Sequence, residues 1–404
     1  MSALFPFPAL RPTPDTVARV AAVPYDVVNS EEAAALATGE PLSFLRVSRP
    51  EIECPAGTHI YADEVYAKAA DNFDRLRRAA PLVVEAEPSL YVYQLHMHGH
   101  VQTGLAACFA VDEYARDLIK KHEKTRPDKE DDRTRHILTL RAQTGPVFLT
   151  YRASAAVDAL VGRVTAQAPL FDFVAVDGVR HVVWRVPAAV EPDIVAAFAA
   201  VPALYIADGH HRAASAFRTH QALAAEGPGE HERFLAVAFP DTQVRVLPYN
   251  RVVRDLNGLA PEAFRAAIAK VAALTPGGSP SPDRKGRVAM YEGGTWWTLD
   301  FPPAADGLTP DAALDVSRLQ DAVLSPILGI HDVRTDKRID FVGGIRGTDE
   351  LVKLVDSGRF AVAFSLYPVA VDDLMRISDL GGIMPPKSTW FEPKLRDGVL
   401  SHLV

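Results

Sequence analysis

The fold turns on the stretch Ala203-Leu-Tyr-Ile-Ala-Asp-Gly-His-His-Arg-Ala-Ala-Ser-Ala-Phe217. An apolar run ends in Asp208-Gly209 and gives way to a segment of helical character that opens with His210, His211 and Arg212. This pattern predicts a buried strand, a glycine turn and a helix whose first N–H groups point outward at the positive end of its dipole. Two imidazoles and a guanidinium in that turn add donors suited to a phosphate. Asp208 stands at the lip, where a carboxylate can accept a proton or hold a cation. An ordinary turn capped by Asp208 has no need of His-His-Arg, so an anion or phosphate site is expected at Gly209.

Composition bounds the rest. The chain has 404 residues, 48% hydrophobic and 23% charged, as expected for a soluble globular protein of one large or two modest domains. Its net charge of −8, with no long basic run, argues against a nucleic-acid footprint. Cys54 and Cys108 make no disulfide framework and lack metal-ligand spacing, which fits a reducing cytoplasm. No apolar run approaches the roughly 20 residues of a membrane span, and the N-terminus lacks the pattern of a secretory signal.

Outward from the focal turn, alternation and turn residues predict an α/β fold of mixed sheets with hairpins. Phe5 to Pro24 is proline-punctuated and extended, leading to Tyr25-Asp26, a ring and a carboxylate before an apolar pair. Ser30-Glu31-Glu32 starts a helix, Ser43 to Val47 reads as a strand, and His59 to Arg78 as a helix. Hairpins are expected over Leu90–Val111, over Leu170–Val186 with its Asp177-Gly178 turn, and over Val288–Leu299. Phe234 to Phe239 is a buried strand, with Val244 to Tyr249 as its hairpin partner. His96, His98 and His100 would share a strand face and suggest a metal, but Gly99 places the turn among them and favours a solvated tip. Proline and glycine between Thr275 and Pro282 suggest a linker. The expected parts are therefore 1–274, carrying the focal turn, and a smaller α/β part over 283–404 whose tail loop returns to the site.

Two further stretches carry chemistry. Between Arg116 and His136 charge of both signs is dense, and a solvated helix pair would explain most of it. Within it, His122-Glu123-Lys124-Thr125 joins an imidazole, a carboxylate, a cation and a hydroxyl, a workable set for handling a phosphate and a proton. Near the C-terminus, prolines hold Lys387, Ser388, Thr389 and Lys394 on a stiff loop composed to bind an oxyanion.

Four stretches together resemble the bacterial and archaeal domain-of-unknown-function family 1015: Pro24-Tyr25-Asp26-Val27; His122-Glu123-Lys124-Thr125 with Asp132-Arg133; Asp208 to Arg212; and Met384-Pro-Pro-Lys-Ser-Thr389 with Phe391 and Pro393-Lys394. They span most of the chain in the expected order. Asn250-Arg251 stands where the pattern has His-Arg. The focal turn is also similar to the phosphate-binding turn of the ParB/sulfiredoxin superfamily, which includes free-serine kinases. That likeness implies a nucleotide-binding core, for nucleotide binding or phosphoryl transfer, without fixing a substrate.

The resulting expectation is a phosphoryl-transfer enzyme, kinase or phosphatase in direction, acting on a small hydroxyl metabolite such as free serine or phosphoserine. Gly209, His210, His211 and Arg212 would hold a phosphate, with Lys124, Thr125, Arg133, Lys387, Ser388, Thr389 and Lys394 around it. Asp208 or Glu123 would accept the hydroxyl proton, His122, His210 and His211 would serve the same chemistry, and Tyr25 and Asp26 would bind substrate. ATP or ADP and Mg²⁺ are the expected cofactors, although no metal ligands can be named. A nucleotide-binding regulator without catalysis is the alternative. A sulfiredoxin-like reductase is disfavoured because no cysteine stands in the turn.

Overall fold

The alternation over Leu90–Val111 becomes a hairpin of β1 (Tyr91–Met97) and β2 (His100–Ala110), turned at His98 and Gly99, both with positive φ. The turn separates the three histidines: His98 stands in it, His96 lies within β1 with its Nε2 2.7 Å from Gln94 Oε1, and His100 opens β2. Next come β3 (Ile119–Lys120), β4 (Val147–Tyr151), β5 (Phe171–Val174), β6 (Arg180–Arg185), β7 (Leu204–Asp208) and β8 (Arg233–Pro240). These eight strands form one sheet in the order β3-β7-β4-β8-β2-β1-β6-β5. β3 and β8 run parallel to β7 and β4 respectively, and every other pairing is antiparallel. The structure is a computed structural model describing residues 3–79 and 82–404.

The first unit also holds α1 (Asp63–Ala79), α2 (Pro127–Leu140), α3 (Ala155–Thr165), α4 (Glu191–Phe198) and α5 (His210–Leu223), of which the last three pack into the sheet's core. Val157 and Val164 of α3, Ile194 and Phe198 of α4, and Ala213 and Ala216 of α5 are buried with Leu105, Leu149, Ile206 and Ala236 in one core. A second core lies under α1 and α2, where Phe73 and Leu140 meet Phe44, Leu45 and Val47. Ser43 to Val47 is not a strand: Leu45–Ser48 is a short helix. Alternation would have sent Phe44 and Leu45 to opposite faces, whereas a helical turn buries Phe44, Leu45 and Val47 together.

The chain divides into two units. The first runs to Lys121, resumes over Thr125–Val244 and ends with Pro393–Val404; the second comprises His122–Lys124 and Arg245–Glu392. The break after Val244 corrects the boundary expected near residue 274. The stretch after Thr275 is no linker between domains, because Ala273–Pro276 is itself a strand of the second unit's sheet. In that unit β9 (Arg245–Leu247) is followed by β10 (Tyr249–Val253), β11 (Ala273–Pro276), β12 (Arg287–Glu292), β13 (Thr295–Asp300), β14 (Ile339–Gly343), β15 (Val362–Leu366) and β16 (Trp390–Glu392). Six of them form an antiparallel sheet in the order β11-β13-β12-β15-β10-β14. The helix Asp349–Asp356 adds Leu351 and Leu354 to a core with Val252, Tyr291 and Phe360. The residues expected to pair with β8 instead form β9 and the start of β10, and β9 pairs with β16. Both edges of β8 are already taken by β2 and β4.

Pro393–Val404 belongs to the first unit, whereas Lys387, Ser388 and Thr389 of the expected tail loop do not. Leu10 and Ser401 bond, Asp397 and Ala22 exchange both backbone bonds at 2.9 and 3.1 Å, and His402–Leu403 pairs with Ala142–Gln143. Among the described residues no helix is long and apolar enough to cross a membrane.

Candidate functional site

The strand, glycine turn and helix form as the apolar run dictates, with β7 delivering the chain to Gly209 and α5 beginning at His210. The register of β7 on β4 shifts between Ile206 and Asp208, a bulge that re-aims the last side chain of the strand. Gly209 is the N-cap with φ +95°, in the left-handed region that favours glycine. A Cβ there would lie 2.9 Å from both Cζ and Nε of Arg212. The absent side chain thus lets the guanidinium fold back over its own helix start. The first intrahelical bond runs from Ala213 N–H to the Gly209 carbonyl, so the amides of the preceding turn point out of the helix end.

Arg212 is only 8% exposed. Its Nη1 donates to the Pro146 carbonyl, and its Nη2 lies 3.4 Å from Asp208 Oδ1 and 3.7 Å from Asp26 Oδ2. Its Nε and Nη2 make no hydrogen bond among the described residues. Burial opposes the guanidinium charge, but Asp26 and Asp208 more than restore it. Lys394 Nζ donates to Asp208 Oδ2 at 2.8 Å. Burial would raise the Asp208 carboxyl, yet Lys394 and Arg212 hold it far below the usual carboxylate range. A carboxylate held so firmly ionised is a poor proton acceptor. Its geometry makes it the holder of Lys394.

His210 is buried in the same turn. His211 Nε2 lies 3.0 Å from the Arg126 backbone nitrogen and accepts its hydrogen, which places the ring proton on Nδ1. Burial depresses its basicity, so the ring is neutral and a donor at Nδ1. Thr125 donates its hydroxyl to the Glu130 carboxylate.

Arg133, on α2, binds Asp132 through Nε at 2.9 Å and donates through Nη1 to the Ser48 carbonyl at 3.2 Å. Its guanidinium stacks 4.2 Å above the Tyr25 ring. Burial raises the Tyr25 hydroxyl far above its ordinary value, so it stays protonated.

These residues enclose a cavity of about 40 Å³ lined by Tyr25, Arg133, His136, Gly145, Arg212 and Asp397, among others. At roughly 10–15 Å³ per water it has room for about three water-sized groups. Sequence reading missed three of these lining residues. His136 donates from Nε2 to the Val47 carbonyl at 2.9 Å and is held neutral, its pKa lowered to about 4 by burial and by Arg133. Gly145 leaves space for Asp397, since a Cβ there would lie 2.6 Å from Oδ1. Asp397 is 2% exposed and accepts the Tyr25 N–H, while its Oδ1 makes no hydrogen bond among the described residues. Burial pushes it up to about 7, against the pull of Arg212. The one trace of Asp397 in the sequence is an ionisable pair, Arg396-Asp397, in an otherwise apolar tail. Arg396 is also buried: its Nε donates to His181 at 3.1 Å and its Nη2 to Asp177, which fixes the backbone between Lys394 and Asp397.

In the first unit, then, Tyr25, Asp26, Arg133, Asp208, Arg212 and Lys394 gather at one place, and His211 shares the helix start. Gly209, His210 and Thr125 lie in the same unit, whereas His122, Glu123, Lys124, Lys387, Ser388 and Thr389 belong to the second. There the His122 carbonyl accepts Met384 N–H at 2.8 Å, and Lys124 is exposed. Lys387, at φ +58°, sets its Nζ 5.3 Å from the Tyr249 ring, and Ser388 Oγ donates to the Pro385 carbonyl at 2.6 Å. Asn250 accepts the Leu366 N–H at 3.1 Å, a bond that closes the sheet.

No curated protein matches the chain. Comparison with solved structures aligns it with a free serine kinase in complex with AMP, at 14% identity and TM-score 0.35 over 72% of this chain and 91% of that one. It also aligns with SbnI with C-terminal truncation from Staphylococcus aureus, at 14% identity and TM-score 0.38 over 75% and 87%. A conserved hypothetical protein from Pyrococcus furiosus aligns at 14% identity and TM-score 0.37 over 74% and 95%. The model of the family described as protein of unknown function (DUF1015) matches residues 4–317, and the chain belongs to that family.

Proposed function

We propose that the first unit transfers a phosphoryl group between a nucleotide and a small hydroxyl metabolite such as free serine. The observation that carries this reading is Arg212: a buried guanidinium whose Nε–Nη2 edge makes no hydrogen bond among the described residues, folded over a glycine helix start beside Lys394. Such an edge presents two parallel donors, the geometry a phosphate accepts. Helix-start amides and the Nδ1–H of His211 are further donors at this helix start.

In this reading Gly209, His211 and Arg212 hold the transferring phosphate, and Lys394, anchored by Asp208, offsets the charge that spreads over its oxygens. Tyr25 and Asp26 bind the metabolite, with Arg133 stacked behind the ring. A divalent cation, Mg²⁺ by preference, accompanies the nucleotide and neutralises its phosphates.

Isothermal titration with ATP, ADP and phosphoserine in the presence of Mg²⁺ tests the reading. Saturable binding to at least one of them is expected, weakened at least tenfold by Arg212→Met. The reading is abandoned if none of the three binds.

A further inference from the structure

Two buried groups, a guanidinium and a carboxyl, line one cavity, and neither completes its hydrogen bonds among the described residues. One is the Nε–Nη2 edge of Arg212; the other is Asp397 Oδ1. Arg212 Nη2 has Asp208 and Asp26 as ion-pair partners at 3.4 and 3.7 Å, but a buried polar atom that makes no hydrogen bond is costly, so each group calls for a ligand. Arg212 needs an acceptor, and Asp397 needs a donor. A phosphate beside a hydroxyl supplies both.

We infer that this cavity is the pocket for the hydroxyl of the metabolite, and that Asp397 is the catalytic residue that accepts its hydrogen. The inference rests on the reading of the site as a phosphoryl-transfer centre and adds the residue that reading lacks. Asp208 is unsuited to the task, being engaged by Lys394 at 2.8 Å. His136 cannot replace it, since its Nε2–H is committed to the Val47 carbonyl. Asp397 is held from both sides: its backbone exchanges bonds with Ala22, and its carboxyl accepts the Tyr25 N–H. What remains is a fixed Oδ1 packed against Gly145, at the wall of a cavity with room for about three water-sized groups.

In the transfer the hydroxyl proton passes to Asp397 Oδ1. The hydroxyl oxygen forms a bond to the terminal phosphorus of a nucleoside di- or triphosphate. The bond from that phosphorus to the bridging oxygen breaks, and its electron pair leaves with the nucleotide, now one phosphate shorter. The groups facing Asp397 are Arg212, Arg133, Asp26, Tyr25 and His136. Burial places its titration close to neutrality, a range suited to a proton acceptor.

The test uses the full chain with L-serine as probe acceptor. Wild type, Asp397→Asn and Gly145→Ala are compared in L-serine binding by saturation-transfer NMR, in ADP binding by calorimetry, and in turnover with ATP or ADP against pH. The new Cβ of Gly145→Ala meets the Asp397 carboxyl first, which makes it a second variant aimed at the same oxygen. The expected result is at least tenfold weaker L-serine binding and 100-fold slower turnover in Asp397→Asn. A smaller loss in the same direction is expected in Gly145→Ala, with ADP affinity unchanged within about twofold in both. Wild-type kcat should rise with pH through an inflection near 7 that Asp397→Asn lacks. L-serine binding and turnover that survive in both variants overturn the inference, as does wild type that ignores L-serine while binding ADP. Failure of every nucleotide to bind instead sinks the phosphoryl-transfer reading. In that event loss of L-serine binding in Asp397→Asn still supports the pocket, and its retention removes that too.

Discussion

Asp208 and Asp397 flank the same guanidinium and are driven in opposite directions. Lys394 overcomes burial at Asp208, while nothing equivalent does so at Asp397. The two therefore make opposite contributions to stability. Asp208, with its pKa depressed on folding, stabilises the fold above the unfolded value of roughly 4, and that contribution is lost as pH falls through its folded value. Asp397, raised to about 7, binds its proton more tightly when folded, so its contribution is present at acid pH and declines as pH rises from about 4 to 7. Asp397→Asn removes this decline. Denaturant melts at pH 5 and pH 7 should show the variant gaining on wild type by about 1 kcal/mol per pH unit. A constant difference between the two pH values would contradict the assignment. Asp208 was legible in the sequence because it ends an apolar run beside a glycine. Asp397 was not, because burial, and not its neighbours in sequence, gives it its character.

The strand-turn-helix element was legible for a local reason: a continuous apolar strand, a glycine able to take φ +95° and a helix with small residues on its packing face need no distant partner. Gly209 is the hinge of that element. Gly209→Ala brings a Cβ against a guanidinium pinned to the Pro146 carbonyl. It should cost about 1–2 kcal/mol from the left-handed backbone and weaken ADP or phosphoserine binding at least tenfold. Thermal melting and calorimetry on the same sample check both effects; unchanged affinity would mean that no ligand approaches this corner. Elements whose identity rests on distant partners were read less well. Arg245–Leu247 has strand character, but its partner is Trp390–Glu392, far along the chain. Phe44, Leu45 and Val47 look like strand residues until the core they share favours a helical turn.

At the scale of the whole molecule, the last twelve residues, Pro393–Val404, complete the first unit after the chain has built the second. Lys394, Arg396 and Asp397 each place a buried or half-buried charge against residues remote in sequence. The expectation that the tail returns came from its lysines, but its pairing with Leu10, Ala22 and Gln143 was beyond sequence reading, as was the break after Val244. A chain ending at Glu392 leaves Asp208 without Lys394, removes Asp397 and strips His181 of its guanidinium partner. It should lose binding of phosphorylated ligands altogether and expose the first unit to limited proteolysis at concentrations the intact chain withstands. Equal resistance would show the tail to be an accessory.

The most direct test of the central claim is a crystal structure of the full chain with ADP. The account predicts a terminal phosphate with its oxygens about 2.7–3.1 Å from the Arg212 Nε–Nη2 edge and the amides that follow Gly209. ADP bound elsewhere, with that edge still making no hydrogen bond, would contradict it.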